Sequence, residues 1–295
     1  MIDSIVLGNN NVRCDNSKDN INPLWELPRL AELWLYSNPL GAVDFSNVSK
    51  ATHLSSLLLD STGIKSIDGV GGAVNLKSLD VRFNAIEGSF PFELFSLTKL
   101  EELYMTSNNF KGPLPASFSS FGQLKKLRLD INDFTGSLPT MADLKHLKWL
   151  DFSANSLTGE IPSSFLENTA IEKFEGGKIT VDLSDNMLSG VVPDELSRFL
   201  YLELYLKGNK FIDIDEALCA EEFWNEGNVN KYGCNAIMCP VGTYNSQGRQ
   251  TSDSNECKEC SKTKYMGSET CSRAKSLTGI MFIAAIIFLV TTFIF

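Results

Sequence analysis

The sequence predicts a coil of the α/β class: a solenoid with a parallel β-sheet on its concave face, a small disulfide-rich module, and one C-terminal transmembrane helix. Three observations predict it. Apolar residues recur nine times in the order L-x-x-L-x-L-x-x-N-x-L. Six cysteines crowd into the stretch from Cys219 to Cys271. An uncharged apolar run closes the chain.

The clearest repeats are Leu100, Leu103, Met105, Asn108 and Phe110; Leu124, Leu127, Leu129, Asn132 and Phe134; and Leu147, Leu150, Phe152, Asn155 and Leu157. Less perfect copies centre on Asn10, Asn38, Thr62 (where Asn is replaced), Asn84, Asn186 and Asn209. Neighbouring copies lie 22 to 31 residues apart, a period typical of stacked supersecondary units. One repeat cannot bury its apolar face alone, so stacking supplies the core. Alternation along a strand turns Leu103 and Met105 inward and Tyr104 and Thr106 outward. The Asn amide can donate to and accept from backbone groups that the turn leaves unpaired. Phe118, Phe121 and Phe165 are expected to fill the convex side.

Five repeats continue into a second signature: IEGSFP (Ile86 to Pro91), FKGPLP (Phe110 to Pro115), FTGSLP (Phe134 to Pro139), LTGEIP (Leu157 to Pro162) and LSGVVP (Leu188 to Pro193). The Gly permits backbone geometry that other residues resist, and the Pro fixes an extended-to-turn junction. These runs resemble the plant-type subclass of leucine-rich repeats, found in receptor-like proteins and receptor-kinase ectodomains. The resemblance covers residues 1–215, and its first three repeats lack the second signature. It implies a membrane-anchored cell-surface protein that recognises a protein, peptide or glycan partner, with a co-receptor kinase as a further partner. The alternative reading is a structural or adhesive surface protein whose repeats serve spacing.

Thirty-six acidic against 26 basic side chains give a net charge of −10, which argues against nucleic acid as a partner because phosphate binding needs a basic stripe. No kinase elements such as a VAIK lysine or an HRD loop are present, and neither an enzyme nor a cofactor nor a metal is expected. His53 and His146 fall in inter-repeat segments, without a nucleophile or metal spacing nearby. The EGGKIT stretch from Glu175 to Thr180 is similar to a phosphate loop only in its glycines and reads as an insertion. Asp151 and Asp182 are expected on adjacent strands, at a spacing compatible with glycosidase carboxylates. An open face offers no pocket to raise one pKa, so a solvated or calcium-touching pair is expected instead.

Residues 216–238 read as a C-terminal cap and 239–272 as a cysteine-rich module. Six cysteines allow about fifteen pairings. Nearest neighbours are preferred: Cys219 with Cys234, Cys239 with Cys257, and Cys260 with Cys271. The competing zinc reading lacks a partner for the CKEC pair. CPVGTY at Cys239 to Tyr244 with CKEC and Cys271 resembles the ephrin-receptor and tumour-necrosis-factor-receptor type of module. Cystines persist in oxidising compartments. Cys14 stands outside the count, and its partner is expected before the start of the sequence.

The run 277–295 reaches roughly 28 Å at about 1.5 Å per residue, enough to cross a hydrocarbon core. Its expected setting is the cell membrane, single-pass, with the repeats extracellular. Alternatives are a lipid-anchor signal, with the run removed, and a tail anchor with cytosolic repeats, which Arg273 and Lys275 favour. The cystines outweigh two basic residues. The sequence opens inside a repeat, with no secretory apolar region, and reads as a fragment. Asn47-Val48-Ser49 is a glycosylation acceptor.

Recognition should sit on the outward strand positions. One column reads Val6, Trp34, Leu58, Asp80, Tyr104, Arg128, Asp151, Asp182 and Tyr205. A second reads Gly8, Tyr36, Asp60, Arg82, Thr106, Asp130, Ser153, Ser184 and Lys207. With strands about 4.8 Å apart the columns span roughly 40 Å. The expected ligand-binding residues are Trp34, Tyr36, Asp60, Asp80, Arg82, Tyr104, Arg128, Asp130, Trp149, Asp151, Asp182 and Tyr205. Exposed aromatics, Phe83 also among them, dominate hot spots when a partner dehydrates them.

Overall fold

A computed structural model describes residues 2–14, 21–169 and 178–272. One parallel sheet of nine strands runs through the coil in sequence order. Its strands are Ser4–Val6, Glu32–Trp34, Ser56–Leu58, Ser78–Asp80, Glu102–Tyr104, Lys126–Arg128, Trp149–Asp151, Ile179–Asp182 and Leu202–Tyr205. They are the nine repeats, one strand each. Their central residues point inward: Leu33, Leu57, Leu79, Leu103, Leu127 and Leu150 are fully buried. Stacked neighbours supply the burial that none of them could achieve alone.

The asparagines form a ladder between repeats. Asn132 donates through Nδ2 to Leu129 O at 3.1 Å, Asp130 O at 3.2 Å and, one repeat back, Met105 O at 3.0 Å. Its Oδ1 accepts from Phe110 N at 3.1 Å. Asn38, Asn84, Asn108, Asn155, Asn186 and Asn209 repeat this pattern. The residue before each of the nine ladder positions has a positive φ, between 51° and 71°. Seven are Asn, Ser, Ala, Asp or Gly; the others are Phe83 and Ile131, both at φ 54°. A bulky or β-branched side chain in this region costs about 1–2 kcal/mol.

A second parallel sheet of six strands flanks the first, from Glu87–Gly88 to Lys210–Ile214. Five of its strands are built from the second sequence signature, whose glycines Gly88, Gly112, Gly136, Gly159 and Gly190 all have φ of 80° or more, and the sixth, Lys210–Ile214, lacks it. The expected α/β class is corrected by the convex side. Helical structure among the described residues amounts to two short α-helices, Asn22–Trp25 and Asn228–Tyr232, and seven 3-10 turns. In the six repeats that contribute to both sheets, two strands take up part of the period, and the segment left over is too short to sustain an α-helix of several turns. The fold is therefore a parallel β-solenoid. Phe118, Phe121 and Phe165 are buried inside its convex wall, where Phe118 meets Phe90 edge-on with ring centroids 5.3 Å apart.

The last repeat is sealed by the segment C-terminal to it. Trp224 is fully buried and donates through Nε1 to Phe199 O at 2.6 Å. Asn225 Oδ1 accepts from Leu204 N at 2.9 Å, in place of a tenth strand. The disulfides pair nearest neighbours, Cys219–Cys234, Cys239–Cys257 and Cys260–Cys271. The cysteine-rich segment packs against the coil. Met266 N donates to Phe211 O at 2.9 Å on the edge of the second sheet, and Lys207 pairs with Glu269 at 3.0 Å. Gly248 (φ 68°) permits this approach, because a Cβ there would meet Gly267 O at 2.6 Å. Of the EGGKIT stretch read as an insertion, Ile179 and Thr180 belong to the eighth strand of the sheet, and residues 175–177 lie outside the described residues, as does the run 277–295 expected to span a membrane. No helix among the described residues is long and apolar enough to cross a membrane.

Candidate recognition face

The register of the nine strands fixes the columns residue by residue. Val6, Trp34, Leu58, Asp80, Tyr104, Arg128, Asp151, Asp182 and Tyr205 are successive Cα partners. This is the middle column read from the repeat. A third outward column precedes it: Ser4, Glu32, Ser56, Ser78, Glu102, Lys126, Trp149, Thr180 and Glu203. Of this column the repeat reading picked out only Trp149. The same alternation would have shown the rest, since a residue before each inward Leu faces the same way as the one after it.

The centre of the face, across the fourth to seventh strands, carries interlocked charges. Arg82 Nη2 lies 2.6 Å from Asp80 Oδ2, and its guanidinium stands 4.9 Å from the Tyr104 ring centroid. Arg128 Nη2 reaches Asp130 at 3.2 Å and, on the next repeat, Asp151 at 3.1 Å. Its guanidinium stands 5.5 Å from the Trp149 ring. Lys126 pairs with Glu102 at 3.0 Å. Tyr104, Arg82, Lys126, Arg128 and Trp149 are among the residues that line a shallow depression of about 360 Å³ on this face.

This arrangement corrects the expected solvated pair. Asp151 and Asp182 are partners on adjacent strands, but Asp151 is only 5% exposed because Arg128 lies against it. Asp80 and Asp130 are likewise outward-facing yet buried, 4% exposed each. No cluster of metal-ligating side chains occurs among the described residues. Burial, reinforced by the charge of Asp151, raises the Asp130 carboxyl above the ordinary range, despite the Thr106 hydroxyl 2.6 Å away. Burial raises Asp182 and Asp60 too, with Asp151 and Asp80 as the respective like charges. The hydrogen bonds to Asp80 push the Arg82 guanidinium further up.

The other expected residues lie to either side. Trp34 is half-buried and donates through Nε1 to Ser56 Oγ at 3.0 Å. Tyr36 lies flat on Gly8, where a Cβ would come within 2.2 Å of its ring. At the far end Tyr205 is covered by Arg249 of the cysteine-rich segment, its guanidinium 4.2 Å from the ring centroid. Arg249 also donates to Leu204 O at 3.4 Å. No repeat periodicity predicts a side chain that folds back from beyond the coil. Phe83 is 49% exposed but stands on the rim turn, off the strands. Asn47 begins the 3-10 turn Val48–Lys50, away from the nine-stranded sheet.

The Leucine Rich Repeat family matches residues 99–121, 146–168 and 179–199. No curated protein sequence matches the chain. Among solved structures the chain is similar to a TDR receptor at 28% identity, over 65% of this chain and 33% of that one, with a TM-score of 0.56. It is similar to the Arabidopsis receptor kinase HAESA, solved with the peptide hormone IDA and the co-receptor SERK1. There the identity is 26%, over 69% of this chain and 38% of that one, with a TM-score of 0.56. A plant ice-binding protein shares the fold at 22% identity, over 76% of each chain, with a TM-score of 0.50. The chain spans about a third of the length of the receptor chains it matches. It carries leucine-rich repeats and resembles plant leucine-rich-repeat receptor ectodomains.

Proposed function

We propose that the chain is a membrane-anchored cell-surface recognition protein whose repeats lie outside the cell and whose concave face binds a protein, peptide or glycan partner, with no catalytic role. A peptide segment fits this reading best. The observation that carries it is the centre of the face, where Tyr104 and Trp149 present rings held in place by Arg82 and Arg128. Preorganised aromatic and arginine side chains are the residue types that concentrate binding energy. The similar receptor kinase holds a peptide hormone, and a co-receptor kinase remains the expected further partner. The anchor is the run 277–295, and the three disulfides support the oxidising side.

The test is to pan a random dodecapeptide display library on the full chain and measure the enriched peptides against Tyr104→Ala and Trp149→Ala. About a tenfold loss in affinity with an unchanged melting temperature is expected, in line with hot-spot truncations. Equal affinity would move the site off the concave face. Protease protection on intact cells, with an epitope inserted near Asn47, reports the topology. An epitope shielded until the cells are lysed would put the repeats in the cytosol.

A further inference from the structure

Where the cysteine-rich segment meets the coil, it leaves a crevice of about 310 Å³. From the coil it is lined by the ladder turns that follow the eighth and ninth strands, with Asp185 and Gly208, and by Lys210; from the cysteine-rich segment by Lys264, Tyr265 and Glu269 among others. Two glycines let these parts come together. A Cβ on Gly208 would stand 2.2 Å from a carboxylate oxygen of Asp185, and one on Gly267 would press on Lys207 and Met238 at 3.3 Å.

The charges around the crevice are unequally engaged. Glu269 is held by Lys207 at 3.0 Å. Asp185, Lys210 and Lys264 form no ion pair, and their side chains make no hydrogen bond, among the described residues. Asp185 is nonetheless half-buried. Burial raises its carboxyl above the ordinary range, while Lys207 opposes the rise and Glu269 adds to it. A carboxyl taken from water without a partner works against folding, so its place in the crevice calls for another reason.

The lining narrows the chemistry of an occupant. Its two acids and two bases balance, which leaves no net charge to draw a phosphate or a strongly basic segment. An apolar guest would leave Asp185 and both ammonium groups without partners. The unpaired set suits a neutral molecule that donates and accepts at closely spaced atoms. A sugar does this, because each hydroxyl can donate to a carboxylate while its oxygen accepts from an ammonium. Tyr265 adds an amphipathic ring for the C–H face of the sugar, and the hydroxyls of Ser268 and Thr270 extend the polar lining. The volume falls near the lower end of small-ligand sites.

We propose that this crevice is a second recognition site, which takes a neutral hexose unit at the end of a glycan. Asp185 accepts from adjacent hydroxyls, Lys210 and Lys264 donate to sugar oxygens, and Tyr265 packs on the ring. The site lies outside the concave columns and does not rest on the peptide reading.

The experiment presents the full chain with two sets of probes: free oligosaccharides of glucose, mannose and galactose, and high-mannose glycopeptides. Galacturonate oligosaccharides and free amino acids serve as charged controls. Binding in the first set would assign the hexose to a free saccharide and in the second to a glycoprotein, and either supports the site. Asp185→Ala should weaken that binding by about tenfold or more, as loss of a charged hydrogen-bond partner does. Its melting temperature should hold or rise, since Ala154 already occupies an equivalent turn with the same left-handed backbone. Tyr265→Ala should also bind more weakly, and Tyr104→Ala on the concave face should bind as the parent does. Failure of every neutral saccharide, a preference for the charged controls, or undiminished binding by Asp185→Ala overturns the site. So does a fall in the melting temperature of Asp185→Ala, which would give the carboxylate a structural role. None of these results bears on the peptide reading, which the display library tests separately.

Discussion

Arg128 joins two repeats by reaching Asp151 on the next strand at 3.1 Å while also holding Asp130 on its own. Both carboxylates are almost fully buried, so the guanidinium is what makes their outward position tolerable. Arg128→Ala is expected to cost about 2–3 kcal/mol, because a buried carboxylate would lose its partner. Denaturant unfolding of Arg128→Ala, Asp151→Asn and the double variant would measure it. Additive losses in that cycle would mean that the pair is not coupled.

The ladder predicts a stabilising substitution at its one irregular rung. Thr62 is fully buried and donates to Leu59 O at 2.6 Å, but it has no amide to reach the preceding repeat as Asn84 and Asn108 do. Thr62→Asn is nearly equal in volume and is expected to add about 1 kcal/mol. Asn132→Ala should lose roughly 3 kcal/mol, since it strands one buried amide and several carbonyls at once. Thermal unfolding of the two variants should shift in opposite directions.

Acidity should stabilise the coil in a mild range. Asp60, Asp130, Asp182 and Asp185 have carboxyls raised by burial. A raised folded-state value means that the native chain binds more protons than the unfolded one. The contribution is fully present below the ordinary carboxylate range and is lost as pH rises through the raised values. The melting temperature should therefore fall as pH rises through the range just above that of an ordinary carboxylate, and Asp130→Asn with Asp182→Asn should flatten that fall. A melting temperature that climbs through that range in the parent and is unchanged in the double variant would contradict the assignment.

The Cys219–Cys234 bond closes a loop of 15 residues over the cap that holds Trp224. Replacing both cysteines by serine should cost roughly 3 kcal/mol. Red-shifted tryptophan emission at temperatures where the parent is still native would place the opening at the cap. An unchanged melting curve would show that Trp224 and Asn225 seal the end without it.

Much of the coil was legible because its period is written in residues that do one job each. Leu103 must face in, Asn132 must bridge, and Gly112 must adopt a backbone that few others accept, so spacing alone places them. The convex wall was not legible in the same way, since a segment too short for an α-helix carries the same phenylalanines as one long enough. The columns containing Tyr104 and Arg128 followed from alternation. Their burial did not, because it depends on how far a guanidinium reaches across a strand. Arg249 over Tyr205 lay beyond any periodic reading, since it brings together residues from different parts of the fold.

Each asparagine bridge spans one neighbour and no further. A whole unit gained or lost by unequal recombination would therefore be absorbed without disturbing distant ones. Everything downstream would be displaced by a fixed step, like beads moved along a string. Such a lineage can try new combinations of surface residues by shuffling units, long before any single unit has to be redesigned.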